Sequence, residues 1–290
     1  MSCLYRFALA CLCALLACAP AGAAPSLPPL PDPLPAVEGI PPKSLAQGLA
    51  QWRAAWDRQV RSFTQGPQEG WAKRMGKGNP VQALEDPANK LEQLLQPALL
   101  RLEDAGSVEQ TPPADQSLWR LLKENGLWVD GADGGLFVAP SPQAFYQSVA
   151  EQATGDTGAF LRVLAGQPPR WADVSGLDYG LEDMFPWALK WEAFLVGNPR
   201  SAYAAPARKH YRAVMEPLLW CDGINTPAFP GKGPMAPEWR ESLQRLATAH
   251  ADTASGRIVS NYLAALGKNQ WRLSPAIKQA TLKACDSVGR

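Results

Sequence analysis

Histidine is scarce in this chain, with only His210 and His250 present. There is no H-E-x-x-H and no C-x-x-C, so the common zinc-ligand spacings are missing and neither a metal nor a cofactor is expected. No G-x-S-x-G elbow occurs, which removes the usual setting for a serine nucleophile. Charge of one sign is not in excess either. Basic residues number 28 and acidic residues 27. Loss of a leader carrying Arg6 would leave 27 of each, and nucleic-acid binders usually show a basic surplus, so no nucleic-acid partner is expected. Past the first few dozen residues, no apolar run approaches the ~20 residues of a membrane-spanning helix.

What is present begins at the N-terminus. Arg6 precedes an uncharged apolar run from Phe7 to Ala17, followed by the small-residue stretch CAPAGAAP. This is the layout of a secretory signal peptide. Two processing routes fit. Leu15-Leu16-Ala17-Cys18 resembles a bacterial lipobox, which gives a signal over 1–17 and a lipid on Cys18. Ala21-Gly22-Ala23 is an A-x-A site, which gives a signal over 1–23 and a soluble product starting at Ala24. The lipoprotein route is preferred, with the protein held in the periplasm by its lipid. A soluble periplasmic or secreted protein is the alternative. Residues 24–43, dense in proline, read as an extended linker suited to a tether.

Four of the six cysteines fall in the leader, and only Cys221 and Cys285 remain. In an oxidising compartment two cysteines most simply pair, so a Cys221–Cys285 disulfide is expected. Closing 64 residues, it would contribute ~4 kcal/mol in the chain-entropy account.

The rest, residues 44–290, reads as one helical domain with a candidate subdivision near 170. Leu45, Leu49, Trp52, Trp56, Val60 and Phe63 recur at gaps of three and four and draw one helical stripe, with Ser44 as N-cap. Leu91, Leu94, Leu95, Leu99 and Leu102 draw a second, with Pro97 a candidate kink. SLWRLLKENG stops at Gly126. The period then changes. GLWVDGADGGLFVAP has two short apolar runs around a Gly/Asp turn and predicts a small β-hairpin. Ser141-Pro142 offers a cap and first-turn proline, and Asp156 a further cap. Helical stripes resume with Met184, Trp187, Trp191 and Phe194, then Tyr203, Ala207, Tyr211, Val214 and Leu218. Trp239, Leu243 and Leu246 lead to a break near His250-Ala251-Asp252, then Ile258, Tyr262 and Leu266. The predicted class is all-α: a helical bundle with solenoid-like helical hairpins at the C-terminal end and one small β-hairpin. The stretch LLWCDGINTPAFPG, residues 218–231, looks catalytic but is better explained as the connection between hairpins, since its glycines and prolines end helices.

ENGLWVDGADGGLFVAPSPQAFY, DVSGLDYGLEDMFPWALKWEAFLVGNPRS, GINTPAF and RESLQRLATAHADTASGRIVSNYL occur here in that order. The order resembles a loosely defined set of exported bacterial helical proteins and lipoproteins without an assigned activity. Their pattern is W-x-x-F-L closing on N-P-x-S, then G-x-N-T-P-A-F, then a further hairpin. The match covers about residues 118–266 and is most specific over Trp191–Ser201 and Gly223–Phe229. Cys221, just before the turn, and His250-Ala251-Asp252, where proline is usual, depart from it. The resemblance implies an all-helical exported domain and brings no catalytic residues.

Candidate chemistry is thin. A thiol–histidine pair using Cys221 conflicts with the expected disulfide. Asp130, Asp133, Gly134 and Gly135 fail the calcium-loop spacing and suit a hairpin turn instead. Asp173, Asp178, Glu182 and Asp183 form an acidic group. Of these, Asp178, Glu182 and Asp183 are the candidate carboxylates for cleaving an envelope glycan or peptide bond. At a helix start, however, acids also serve the helix dipole. Trp71, Trp171 and Trp220, near loops or helix ends, are the candidates for an exposed binding surface. The function expected is binding of another envelope protein, in an accessory, scaffold or inhibitor-like role, without catalysis. An envelope hydrolase using the acidic group is the alternative, and a lipid or small-molecule binding module the second alternative.

Overall fold

The structure is a computed structural model that describes residues 27–75, 80–132, 135–168, 171–173, 176–221 and 228–290. The leader with Cys18, the Asp133–Gly134 turn and residues 222–227 of the long connection lie outside the described residues. Among the described residues eleven α-helices dominate, with a six-residue β-hairpin ladder and a second, two-residue ladder, so the chain is all-α with a minor β element as expected.

The chain divides into two compact units. The first holds described residues 27–62 and 83–140, and the second holds 63–82 and 141–290. The chain passes between the units at 62/63, 82/83 and 140/141, the last where the hairpin ends.

Helix α1 (Pro42–Thr64), which belongs to the first unit up to Ser62, starts two residues before the expected cap, because Pro42 has the φ a first turn needs. Its stripe is buried throughout, from Leu45 to Phe63. Helix α3 (Glu85–Ala105) follows the short α2 (Glu69–Met75) in sequence, and Pro97 stands inside it. Leu91 and Leu94 of α3 approach α1 at Gly48, where an added Cβ would meet Leu91 at 3.0 Å. Helix α4 (Pro113–Glu124) ends at Asn125, and Gly126 turns the chain with φ +74°. A side chain there is excluded twice over, since a Cβ would lie 2.6 Å from the Trp56 ring. Strands β1 (Leu127–Ala132) and β2 (Gly135–Pro140) then pair antiparallel, from Leu127 opposite Pro140 to Ala132 opposite Gly135. The Glu92 carboxylate accepts the Val138 N–H at 3.0 Å and ties the hairpin to α3.

The proline-rich stretch is not a free linker where it is described. Leu27, Val37 and Ile40 are buried. Arg53 of α1 donates to the carbonyl oxygens of Leu27 and Pro28 and to Asn125 Oδ1. The physical reason is simple. Proline removes backbone donors but leaves every carbonyl, and the aliphatic residues between the prolines gain by burial.

In the second unit, α5 (Pro142–Ala150) is capped by Ser141, whose Oγ accepts from Ala144 N. It packs on α6 (Gly155–Gly166), whose N-cap is Thr154 and not Asp156. The small ladder of β3 (Ala172–Asp173) and β4 (Gly176–Leu177) leads into two helical hairpins. The first is α7 (Leu181–Gly197) with α8 (Ala204–Trp220). The second is α9 (Pro237–Ala249) with α10 (Ala254–Lys268). Their turns close alike: Ser201 N donates to Asn198 O at 3.1 Å and Thr253 N to His250 O at 3.0 Å. Helix α11 (Pro275–Asp286) packs on α8 and α10.

Candidate functional site

The structure redistributes the residues singled out from sequence. Trp71, Trp171 and Trp220 form no exposed binding surface. They are 2%, 5% and 6% exposed. Trp71 meets Phe63 edge-on with centroids 5.9 Å apart, and Trp171 lies 6.2 Å from Trp187. Trp220 packs 5.9 Å from Tyr262, with Lys278 Nζ 5.4 Å over its ring. A position at a helix end does not decide exposure when other helices close over it. Conversely Trp187, on the expected core stripe, is only half-buried, and Lys190 Nζ stands 3.5 Å over its face.

The expected disulfide is absent: Cys221 and Cys285 are both buried free thiols. Register explains why. Helix α11 runs against α8 with Lys278 beside Trp220 and Asp286 beside Arg212. Cys285, next to Asp286, is thus held near Arg212 in the middle of α8, whereas Cys221 caps its C-terminal end. Burial pushes the Cys285 thiol up to about 12, which leaves it unreactive in the fold. In non-reduced, denatured protein a thiol reagent is expected to label both positions. A product in which neither reacts would restore the disulfide.

Asp178, Glu182 and Asp183 face solvent. Glu182 accepts from Arg245 at 3.0 Å in an exposed pair. Asp183 lies in the first turn of α7, where its charge suits the helix dipole. The acids sit where helix physics favours them. Asp130 and Asp173 fall in the two ladders.

The two histidines are packed rather than paired with a thiol. His210 stacks on Trp191, centroids 4.9 Å apart and planes 14° apart, and meets Phe160 at 6.2 Å. Burial, with a smaller effect from Lys209, holds its imidazole down at about 4. His250 packs 5.1 Å from Phe185 at the end of α9.

Two features went unread in the sequence. The first is Glu192 of α7. Its carboxylate accepts from Ala254 N and Ser255 N at 2.7 Å each and from Ser255 Oγ at 2.6 Å, and so caps α10 from a neighbouring hairpin. Tyr211 Oη and Ser255 Oγ are 3.0 Å apart and extend this buried network. A cap supplied from 62 residues away leaves no local signature.

The second is a groove of ≈ 620 Å³ between the end of α7, one face of α10 and the end of α11. Val196, Ile258 and Val288 supply apolar lining, and Arg257 and Arg290 supply charge. Val196 is 60% exposed, one of three large exposed apolar side chains among the described residues. Its sequence signal was available: it is apolar yet lies off the Met184–Trp191–Phe194 stripe. Ala254, Ile258 and Asn261 follow helical spacing along α10. The groove's size falls within the range of ligand pockets, about 300–1,000 Å³.

Among the described residues, no three His, Cys, Asp or Glu side chains gather as a metal site, and no helix is long and apolar enough to cross a membrane. No family model, no curated protein and no solved structure matches the chain.

Proposed function

We propose that this is an exported envelope protein that works by binding another envelope protein, with the second helical unit as its binding surface and no reaction of its own. The observation that supports this is the groove at the ends of α7, α10 and α11, with Val196 left exposed in its lining. An exposed apolar residue inside a concave, preformed site gains by being covered, and paired helical hairpins present such surfaces readily. The leader and Cys18 place the protein on the periplasmic side of a membrane by its lipid in this reading.

The test is cross-linking of the tagged mature protein in its native envelope, followed by mass spectrometry. A single protein recovered in stoichiometric amount, which recovers this chain when tagged in turn, is the expected result. Recovery of the bait alone would refute the binding function.

A further inference from the structure

We propose that the α7–α10–α11 groove receives a short segment of the partner protein in which an apolar side chain stands close to a carboxylate. This rests on the protein-binding reading above and names the chemistry of its partner.

Charge sets the carboxylate. Arg257 and Arg290 line the groove, and no aspartate or glutamate does. Among the described residues, no aspartate or glutamate carboxylate lies within ion-pair distance of the Arg257 guanidinium. Arg257 Nη1 donates only to the Asp252 carbonyl, at 2.7 Å. The N–H groups at the start of α10 are already taken, by Glu192 and by Thr253 Oγ1, so the helix end does not compete for the incoming acid. The Arg257 guanidinium is thus the group left to receive it, and its planar donor array matches a carboxylate.

The lining sets the apolar side chain. Ile258 and Val288 are buried, whereas Val196 stands exposed beside them. The wall is held in place before any partner arrives. Arg208 donates to the carbonyls of Val288 and Gly289 at 3.4 and 3.5 Å. Gly289, at φ +70°, lies so close to Leu195 that an added Cβ would be 2.5 Å from its carbonyl oxygen. A preformed site of this kind loses little conformational entropy on binding.

The experiment is selection of random displayed peptides of about twelve residues on the purified mature chain, followed by titration of an enriched peptide. Enriched sequences are expected to place Leu, Ile, Val or Phe within a few residues of Asp or Glu. Affinity should fall about tenfold for Arg257→Glu and again for Val196→Asp. A peptide with its acid changed to lysine should regain affinity for Arg257→Glu. Both substituted positions are exposed, and unchanged thermal unfolding of each variant verifies the fold. Absence of any enriched peptide, enrichment without acids, or binding by both variants as tight as that of the wild type overturns the proposal. Native cross-linking separates the two levels. A partner captured equally by wild type and Val196→Asp removes the groove but keeps the binding function, and no partner with wild type removes both.

Discussion

Gly256→Ala is expected to destabilise the second unit by about 3 kcal/mol or more, at the top of the range for overpacking. Gly256 lies in the first turn of α10, directly beneath the carbonyl of His250 at the end of α9. A Cβ there would be 1.9 Å from the His250 oxygen and 2.6 Å from its carbon. The obstacle is backbone, and alanine has no rotamer with which to avoid it. That carbonyl is also held in place, accepting from Thr253 N at 3.0 Å and from Thr253 Oγ1 at 2.8 Å. Relief would require opening the α9–α10 turn and losing the Thr253 cap on Gly256 N. Thermal unfolding should move down by roughly 10 °C for a unit of this size. Gly267→Ala, on the same helix, is the control. Its Cβ would meet nothing nearer than the Trp271 ring at 3.6 Å. Alanine's helix propensity should make that variant neutral or more stable, by up to about 1 kcal/mol. Equal melting of the two variants would refute the close α9–α10 approach.

Acid sensitivity is the second large effect, and His210 carries it. With its folded pKa depressed to about 4, the folded protein declines a proton that the unfolded chain accepts near 6.5. The unfolded state therefore binds more protons between those values, and stability falls as pH falls through that window. At ~1.4 kcal/mol per unit, the loss from pH 7 to below pH 4 reaches about 3 kcal/mol. The Trp191 face would attract an imidazolium by about 0.5–2 kcal/mol, which opposes the shift. Burial outweighs it, so the direction stands. His210→Phe keeps an aromatic ring against Trp191 and has nothing to titrate. The expected result is a shallower decline of stability between pH 6.5 and 4 in that variant than in the parent, measured by urea unfolding across the range. Identical pH profiles would refute a buried, neutral His210.

Local features were read correctly for a physical reason. The stripe from Leu45 to Phe63 emerges buried, and Gly126 ends a helix with positive φ. Ser141 caps α5, and both C-terminal hairpins turn where Asn198-Pro199 and His250-Ala251-Asp252 interrupt the pattern. Each of these rests on a 3.6-residue period or on a Gly, Pro or capping residue that acts within a few positions.

The misreadings concern residues whose setting comes from elsewhere in the chain. Trp71, Trp171 and Trp220 look exposed when only their own segment is considered, and each packs against a ring of a separate helix. Cysteine counting pairs Cys221 with Cys285, but α11 lies along α8 with Cys285 near Arg212 while Cys221 caps the end of α8, and both thiols are free. Prolines suggest an extended linker over 24–43, and it is Arg53, distant in sequence, that holds the Leu27 and Pro28 carbonyls.

By itself, then, the sequence determined most helix ends to within a few residues, that the body is all-α, and that a small hairpin follows Gly126, but not the second, two-residue ladder. The free thiols, the Glu192 cap, the stacking of His210 on Trp191 and the Val196 groove were decided only by tertiary structure. Helix formation follows from spacing along one segment, whereas burial, capping at a distance and concavity depend on which side chains of separate segments meet.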